Sequence, residues 1–322
     1  MSGMMPLCTT GVQTAQIAVD WLQWTYPLNV TAEDVRNSLA GPGDWVSSTK
    51  GMHGYRQAIR RGGIWVLFDG NDNMGVHVQV TGSGWAQLLA EAPDGACQQF
   101  LSSLLAEGVH FTRVDVALDD RAGVLSMDKI LRCVKQGHFV SRFRQSDEGR
   151  KRRHTRAKPE LVGKSVMFGH ELSGGRVFIY DKALQQHAPG SWTRVELRLK
   201  DARAQALVRT MAEQGESCVP GVLQGYLRFT RPSANQQRDR WPIICWWLKF
   251  LGDCEKSRLS VAPRLPGNDL VWLLRTAAPA LARVNAEFGA AGIAAVIAEG
   301  ERRLGMRSGR RNAAGEAGHV SA

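Results

Sequence analysis

Tyrosine is scarce in this chain of 322 residues, which has only Tyr26, Tyr55, Tyr180 and Tyr226. Paired cysteines are missing too. The six cysteines, Cys8, Cys97, Cys133, Cys218, Cys245 and Cys254, include no C-x-x-C, which excludes a zinc ribbon or a redox pair and points to reduced cytosolic thiols. No apolar stretch approaches the roughly 20 residues of a spanning helix, and "MSGMMPLCTTG" is not a signal peptide, so a cytoplasmic protein without a membrane partner is expected. There is no G-x-x-x-x-G-K-[ST] loop for ATP, no G-x-S-x-G elbow and no H-E-x-x-H.

What is present is cation and core. The net charge is +11, hydrophobic residues make up 43%, and there are ten tryptophans. The composition is that of a folded protein, and its basic excess suggests a polyanionic partner.

Strand and helix signals mix without a regular βαβ rhythm. They predict an α+β fold, mainly an antiparallel sheet with helices packed on one face. "VDWLQWTY" reads as a first strand. "TAEDVRNSL" reads as a helix capped by Thr31, and "GIWVLFDG" and "MGVHVQVTG" as a hairpin. "VHFTRVDVALD" is the clearest strand, with Val114, Val116 and Leu118 alternating with Asp115, Ala117 and Asp119. The second half repeats this β-rich pattern in "KSVMFG", "GRVFIYD" and "WTRVELRLK". The polar "RPSANQQRDRWP" suggests a division into a main β-rich unit over residues 15–231, a helical C-terminal module over 232–305 and a disordered basic tail over 306–322.

Four features carry chemistry. Asp115 and Asp119 share a strand face, either as a solvated surface or as hard oxygen ligands for a divalent metal. In "WTRVELRL", Glu196 lies on the polar face between Arg194 and Arg198, as a salt-bridged outer face or as a further metal ligand. Tyr180 ends a strand and Lys182 follows two residues on. The phenol is a strand-edge hydroxyl or a nucleophile whose phenolate Lys182 stabilises. The run from Arg142 to Lys158 reads as a loop with eight cations, including Arg150, Lys151, Arg152 and Arg153, suited to phosphate contact. The lone His77-Val78-Gln79 reads as an ordinary hairpin segment.

In order, "MGVHVQVTGSGW", "FTRVDVALDD", "GKSVMFGHELSGGRVFIYDKALQQ" and "WTRVELRLKDARAQAL" resemble the replication initiation factor family, the rolling-circle initiators of filamentous phages and plasmids. The resemblance spans roughly residues 15–305 and is most specific at the tyrosine and Arg-Val-Glu-Leu-Arg segments. It implies a DNA nickase in which Tyr180 takes the 5′ phosphate, assisted by Lys182. Asp115, Glu196 and, less directly, Asp119 and Asp120 would hold Mg²⁺ or Mn²⁺. Arg113, Arg150, Lys151, Arg152, Arg153, Arg194 and Arg198 would contact DNA, and Trp21, Trp24 and Trp192 would offer stacking surfaces. A host helicase is the expected partner in a bacterial cytoplasm. The family often has a basic residue where Phe178 stands, and "GHELS" replaces its usual turn, which bears on substrate contacts. A relaxase for conjugative transfer and a non-catalytic origin-binding or repressor protein are the alternatives on the same scaffold.

Overall fold

The computed structural model describes residues 15–39, 41, 43–48, 50–90, 96–154, 158–171, 173–252, 254–261 and 273–316. The chain forms two units, Met1–Val261 and Ala262–Ala322.

The first unit is built on a ten-stranded antiparallel sheet. Its strands are β1 (Ala15–Thr25), β2 (Val46–Ser48), β3 (Gln57–Arg61), β4 (Ile64–Phe68), β5 (His77–Thr81), β6 (His110–Asp120), β8 (Ser146–His154), β9 (Pro159–Phe168), β10 (Gly175–Asp181) and β11 (Thr193–Lys200). Their spatial order is β2-β3-β4-β5-β1-β6-β11-β10-β9-β8. β7 (Phe139–Ser141) and β12 (Leu227–Phe229) form a separate two-stranded pair outside the main sheet.

Strand alternation decides which face is dry. Val114, Val116 and Leu118 of β6, Val195, Leu197 and Leu199 of β11, and Val177 and Ile179 of β10 are fully buried in the main core. α2 (Gly82–Leu89) packs on β1. α6 (Asp201–Gln214) packs on β6 and against α3 (Ala96–Ala106), burying Ala204, Leu207, Val208 and Met211. α4 (Met127–Gln136) adds Met127, Ile130, Leu131 and Cys133 to the same core. α1 (Ala32–Ser38) starts with the expected cap: Asp34 N donates to Thr31 Oγ1 at 3.2 Å, and Thr31 N donates to Asp34 Oδ2 at 3.0 Å. The opposite face of the sheet carries the polar residues.

Three expectations change. Residues 146–154 of the basic run are not loop but the edge strand β8, paired along β9. Its cations point to both sides, so no apolar alternation marked it. The compact unit continues past Arg231 to Val261. α7 (Val219–Tyr226) and α8 (Cys245–Leu251) belong to it, and Trp247, Phe250 and Leu251 lie in the main core, closing around Phe229. The polar linker is a surface excursion, because an amphipathic helix follows it and needs a place to bury its aromatics. Trp24 is wholly buried, packed on Phe100 and Phe111, and offers nothing to a base.

In the second unit α9 (Ala278–Glu316) has helical backbone to Glu316, so residues 306–316 of the expected tail are helical and 317–322 lie outside the described residues. The stretch Ala278–Arg302 is long and apolar enough to cross a membrane by length and composition, contrary to expectation. Gly289, at φ 62° and ψ −161°, breaks it into two helical pieces. The apolar part of each piece falls short of the roughly 20 residues of a span.

Replacing Trp247 by Ala is expected to cost about 3–5 kcal/mol, by lost transfer and an unfilled cavity. Urea unfolding measures it. A loss under about 1 kcal/mol would place α8 outside the folded unit.

Candidate active site

β10 places Val177 and Ile179 in the core and therefore Phe178 and Tyr180 on the polar face. β11 is its neighbour, with Phe178 opposite Glu196 and Tyr180 opposite Arg194. The Glu196 carboxylate reaches diagonally, and the Tyr180 hydroxyl donates to its Oε1 at 2.6 Å. Both residues are buried. Lys182 opens the short helix α5 (Lys182–Gln186), whose N-cap Asp181 accepts from Leu184 N at 2.8 Å. That turn carries the Lys182 Nζ to 3.3 Å from the phenol oxygen. Phe178 packs against the tyrosine ring at 4.8 Å between centroids.

Around this pair the face is a grid of alternating charges. Arg198 binds Glu196 Oε2, and its Nε lies 3.6 Å from Asp115 Oδ2. Arg113 donates to both Asp115 oxygens at 2.9 and 2.6 Å. Arg194 donates to both Asp119 oxygens at 2.7 and 2.6 Å, and its Nη1 reaches Asp20 Oδ1 at 2.6 Å. The Trp192 indole N–H also donates to Asp119, at 2.7 Å, while Arg121 lies 3.3 Å over the Trp192 ring. Bidentate guanidinium–carboxylate pairs of this kind fix side chains firmly.

Burial, then the neighbouring Glu196 carboxylate, hold the Tyr180 phenol well above the usual tyrosine range. Burial, then Arg194, hold the Lys182 amine below the usual lysine range. Burial alone would lower the Arg194 guanidinium, but its bonds to Asp119 and the charge of Asp20 outweigh that and raise it.

The structure thus brings Tyr180, Lys182 and Glu196 together. It does not assemble the expected three-carboxylate metal set. Asp115 and Asp119 stand four residues apart on β6, about 13 Å, too far to share one ion. Asp115 and Glu196 are diagonal neighbours, but the Arg198 guanidinium sits between them. Among the described residues no group of three histidine, cysteine, aspartate or glutamate side chains could hold a metal. Asp120 closes the turn after β6 by accepting from Ala122 N at 3.1 Å and Leu125 N at 2.6 Å.

The expected DNA-contacting cations divide in the same way. Arg113, Arg194 and Arg198 are counter-ions within the sheet face. Arg150, Lys151, Arg152 and Arg153 on β8 are exposed and, with Tyr180, line an open cavity of about 660 Å³. Lys164 of β9 also lines it and pairs with Asp128 at 2.8 Å. Sequence reading missed Asp20, which sits on the polar side of β1 at its bulge and has no motif around it.

A buried phenol thus rests on a carboxylate beside a cavity walled by a cationic strand. The sequence pattern of the replication initiation factor family matches residues 109–292, more than half the chain, and the chain belongs to that family. It is similar to the putative DNA relaxase NicK of Bacillus subtilis, 27% identical over 269 residues that cover 78% of this chain and 76% of that protein. Its fold is similar to that of the rolling circle replication initiator protein from Geobacillus stearothermophilus, with a TM-score of 0.66, 27% identity, and coverage of 77% of this chain and 100% of the other.

Replacing Arg194 by Ala leaves Asp119 and Asp20 without their cation and is expected to destabilise the fold by about 3–5 kcal/mol. Chemical unfolding checks this. An unchanged midpoint would mean that the pair is solvated.

Proposed function

We propose that this chain initiates rolling-circle replication by nicking one DNA strand at an origin and later rejoining it, through a 5′-phosphotyrosine on Tyr180. The 2.6 Å hydrogen bond from the Tyr180 hydroxyl to Glu196 carries this reading. The phenol is too weak an acid to ionise unaided, so it needs a base in contact, and Glu196 is that base.

As the phenol oxygen bonds to phosphorus, its proton passes to Glu196 Oε1. The bond from phosphorus to the 3′ oxygen breaks, and that oxygen takes a proton from solvent or from the Lys182 ammonium. Lys182, 3.3 Å from the nucleophile, offsets the charge that gathers on the phosphate. Rejoining reverses these transfers. The cationic β8 grips the backbone across the cavity, with phosphate contacts that are salt-dependent and indifferent to sequence.

Members of this family generally depend on a divalent metal. The carboxylates here do not fit one as arranged, because guanidinium groups already hold Asp115, Asp119 and Glu196 and backbone N–H groups hold Asp120. Mg²⁺ or Mn²⁺ remains the expected addition to an assay. A relaxase acting in conjugative transfer would use the same step, and the likeness to a relaxase favours that as the second reading. Unwinding falls to a host helicase.

A supercoiled plasmid carrying the chain's own gene region, with Mg²⁺ or Mn²⁺, is expected to be relaxed and to leave a covalent protein–DNA adduct. Tyr180→Phe is expected to form no adduct; if it nicks as fast as the parent, Tyr180 is not the nucleophile. An origin bound but never cut would make the chain a binding protein.

Glu196→Gln removes the base and the charge that raises the phenol. Nicking is expected to fall roughly 10²–10⁴-fold near neutral pH and to recover partly as pH rises and phenolate forms. A nicking-rate profile unchanged across pH would remove Glu196 from proton transfer.

A further inference from the structure

The strand order is palindromic about the β1–β6 seam. Five strands, β2-β3-β4-β5-β1, are answered by β8-β9-β10-β11-β6. β1 and β6 are each followed by a helix on the dry face, α1 and α4, and β5 and β11 each run directly into one, α2 and α6. Equating Thr81, the residue before α2, with Lys200, the residue before α6, sets Gln79 against Arg198 and His77 against Glu196. The pairing of Thr81 with Trp21 and of Lys200 with Arg113 then sets Gln23 against Asp115. The core residues agree, since Val78 and Val80 fall on Leu197 and Leu199. The first half therefore carries neutral residues, Gln79, His77 and Gln23, at the positions that Arg198, Glu196 and Asp115 hold beside Tyr180.

Two imidazoles stand here. His77 is 6% exposed, and its Nε2 is buried with no hydrogen-bond partner among the described residues. Its Nδ1 lies 2.8 Å from Thr25 Oγ1, which fixes the ring and turns Nε2 away from β1. His53, on an exposed turn with φ 55°, lies over it at 5.8 Å between ring centroids and 69° between planes. His53 Nε2 is 3.1 Å from Gln79 Oε1, and that oxygen also accepts from Gln23 Nε2 at 2.8 Å. An orphaned buried nitrogen is costly unless something binds it.

We infer that His53, His77 and Gln79 form a binding site for one borderline divalent transition-metal ion of the Zn²⁺ or Co²⁺ kind, separate from the Tyr180 site. An ion about 2.1 Å from both imidazole nitrogens puts the ring centres roughly 5–6 Å apart, as these are. The 3.1 Å between His53 Nε2 and Gln79 Oε1 is the spacing of adjacent ligands on one ion. Thr25 and Gln23 act as outer partners that orient the ligands. Imidazole and amide oxygen select a transition ion over Mg²⁺, which prefers carboxylate and water. Four strand spacings, about 19 Å, separate β5 from β10, so this ion does not touch the phenol.

The test uses the full chain, stripped with a chelator and titrated with Zn²⁺ by calorimetry and with Co²⁺ by visible absorption. One ion per chain is expected, without the thiolate charge-transfer band that would betray cysteine ligands. His53→Gln alters only an exposed turn and is expected to weaken Zn²⁺ binding about 100-fold. Thr25→Val, which frees the His77 ring, is expected to weaken it about 10–100-fold. Asp115→Asn is expected to leave it unchanged. An ion that binds His53→Gln as tightly as the parent, an ion lost in Asp115→Asn, a thiolate band, or no binding by the parent each overturns the inference. None of these readouts depends on DNA nicking.

Discussion

The arginine–carboxylate grid on one face of the sheet is the constraint on which the rest depends. Asp115, Asp119, Glu196 and Arg194 are all buried, and buried charges are tolerable only when each meets its opposite. The antiparallel register of β6, β11 and β10 supplies those meetings, placing Asp119 beside Arg194 and Asp115 beside Arg198. Tyr180 enters that lattice as a neutral member on β10, tied through Glu196 to Arg198. The phenol is therefore oriented by a network that extends across three strands. Burial first, and then the Glu196 carboxylate on which it rests, hold the phenol a weak acid.

This arrangement divides the cations into two populations with different physics. Those inside the sheet face, Arg113, Arg194 and Arg198, have carboxylate partners and set local acidity and rigidity. Those on β8 have open water around them and can exchange it for phosphate. The edge position suits them, since a charged edge also refuses further strand pairing.

Much of this was legible beforehand. The alternation in "TRVDVALD" and "WTRVELRL" gave the strands, their dry faces and the shared polar face of Asp115 and Glu196. A tyrosine one strand away completed the constellation. Spacing along one strand shows a shared face but not the residue opposite, and the residues opposite Asp115 and Asp119 on β11 are arginines. β8 was hidden because edge strands need no apolar side. The end of the main unit was misplaced because a polar, proline-flanked segment marks exposure, not the limit of a core that α8 still completes. His77 looked ordinary because its companion, His53, comes from a turn 24 residues earlier in the chain.

The palindromic sheet order has a consequence for synthesis. β1 is made first yet ends at the centre, between β5 and β6. By the time Thr81 leaves the ribosome, the first five strands can pair, with one side of β1 still bare. β6 begins only at His110, after α2 and α3. For that interval the growing chain presents an open, aromatic-rich edge, the kind of surface that seeks another strand. The two helices made in the meantime can cover the dry face but not this edge. Closure of the sheet is a timed event, and the second half must arrive before a foreign strand does.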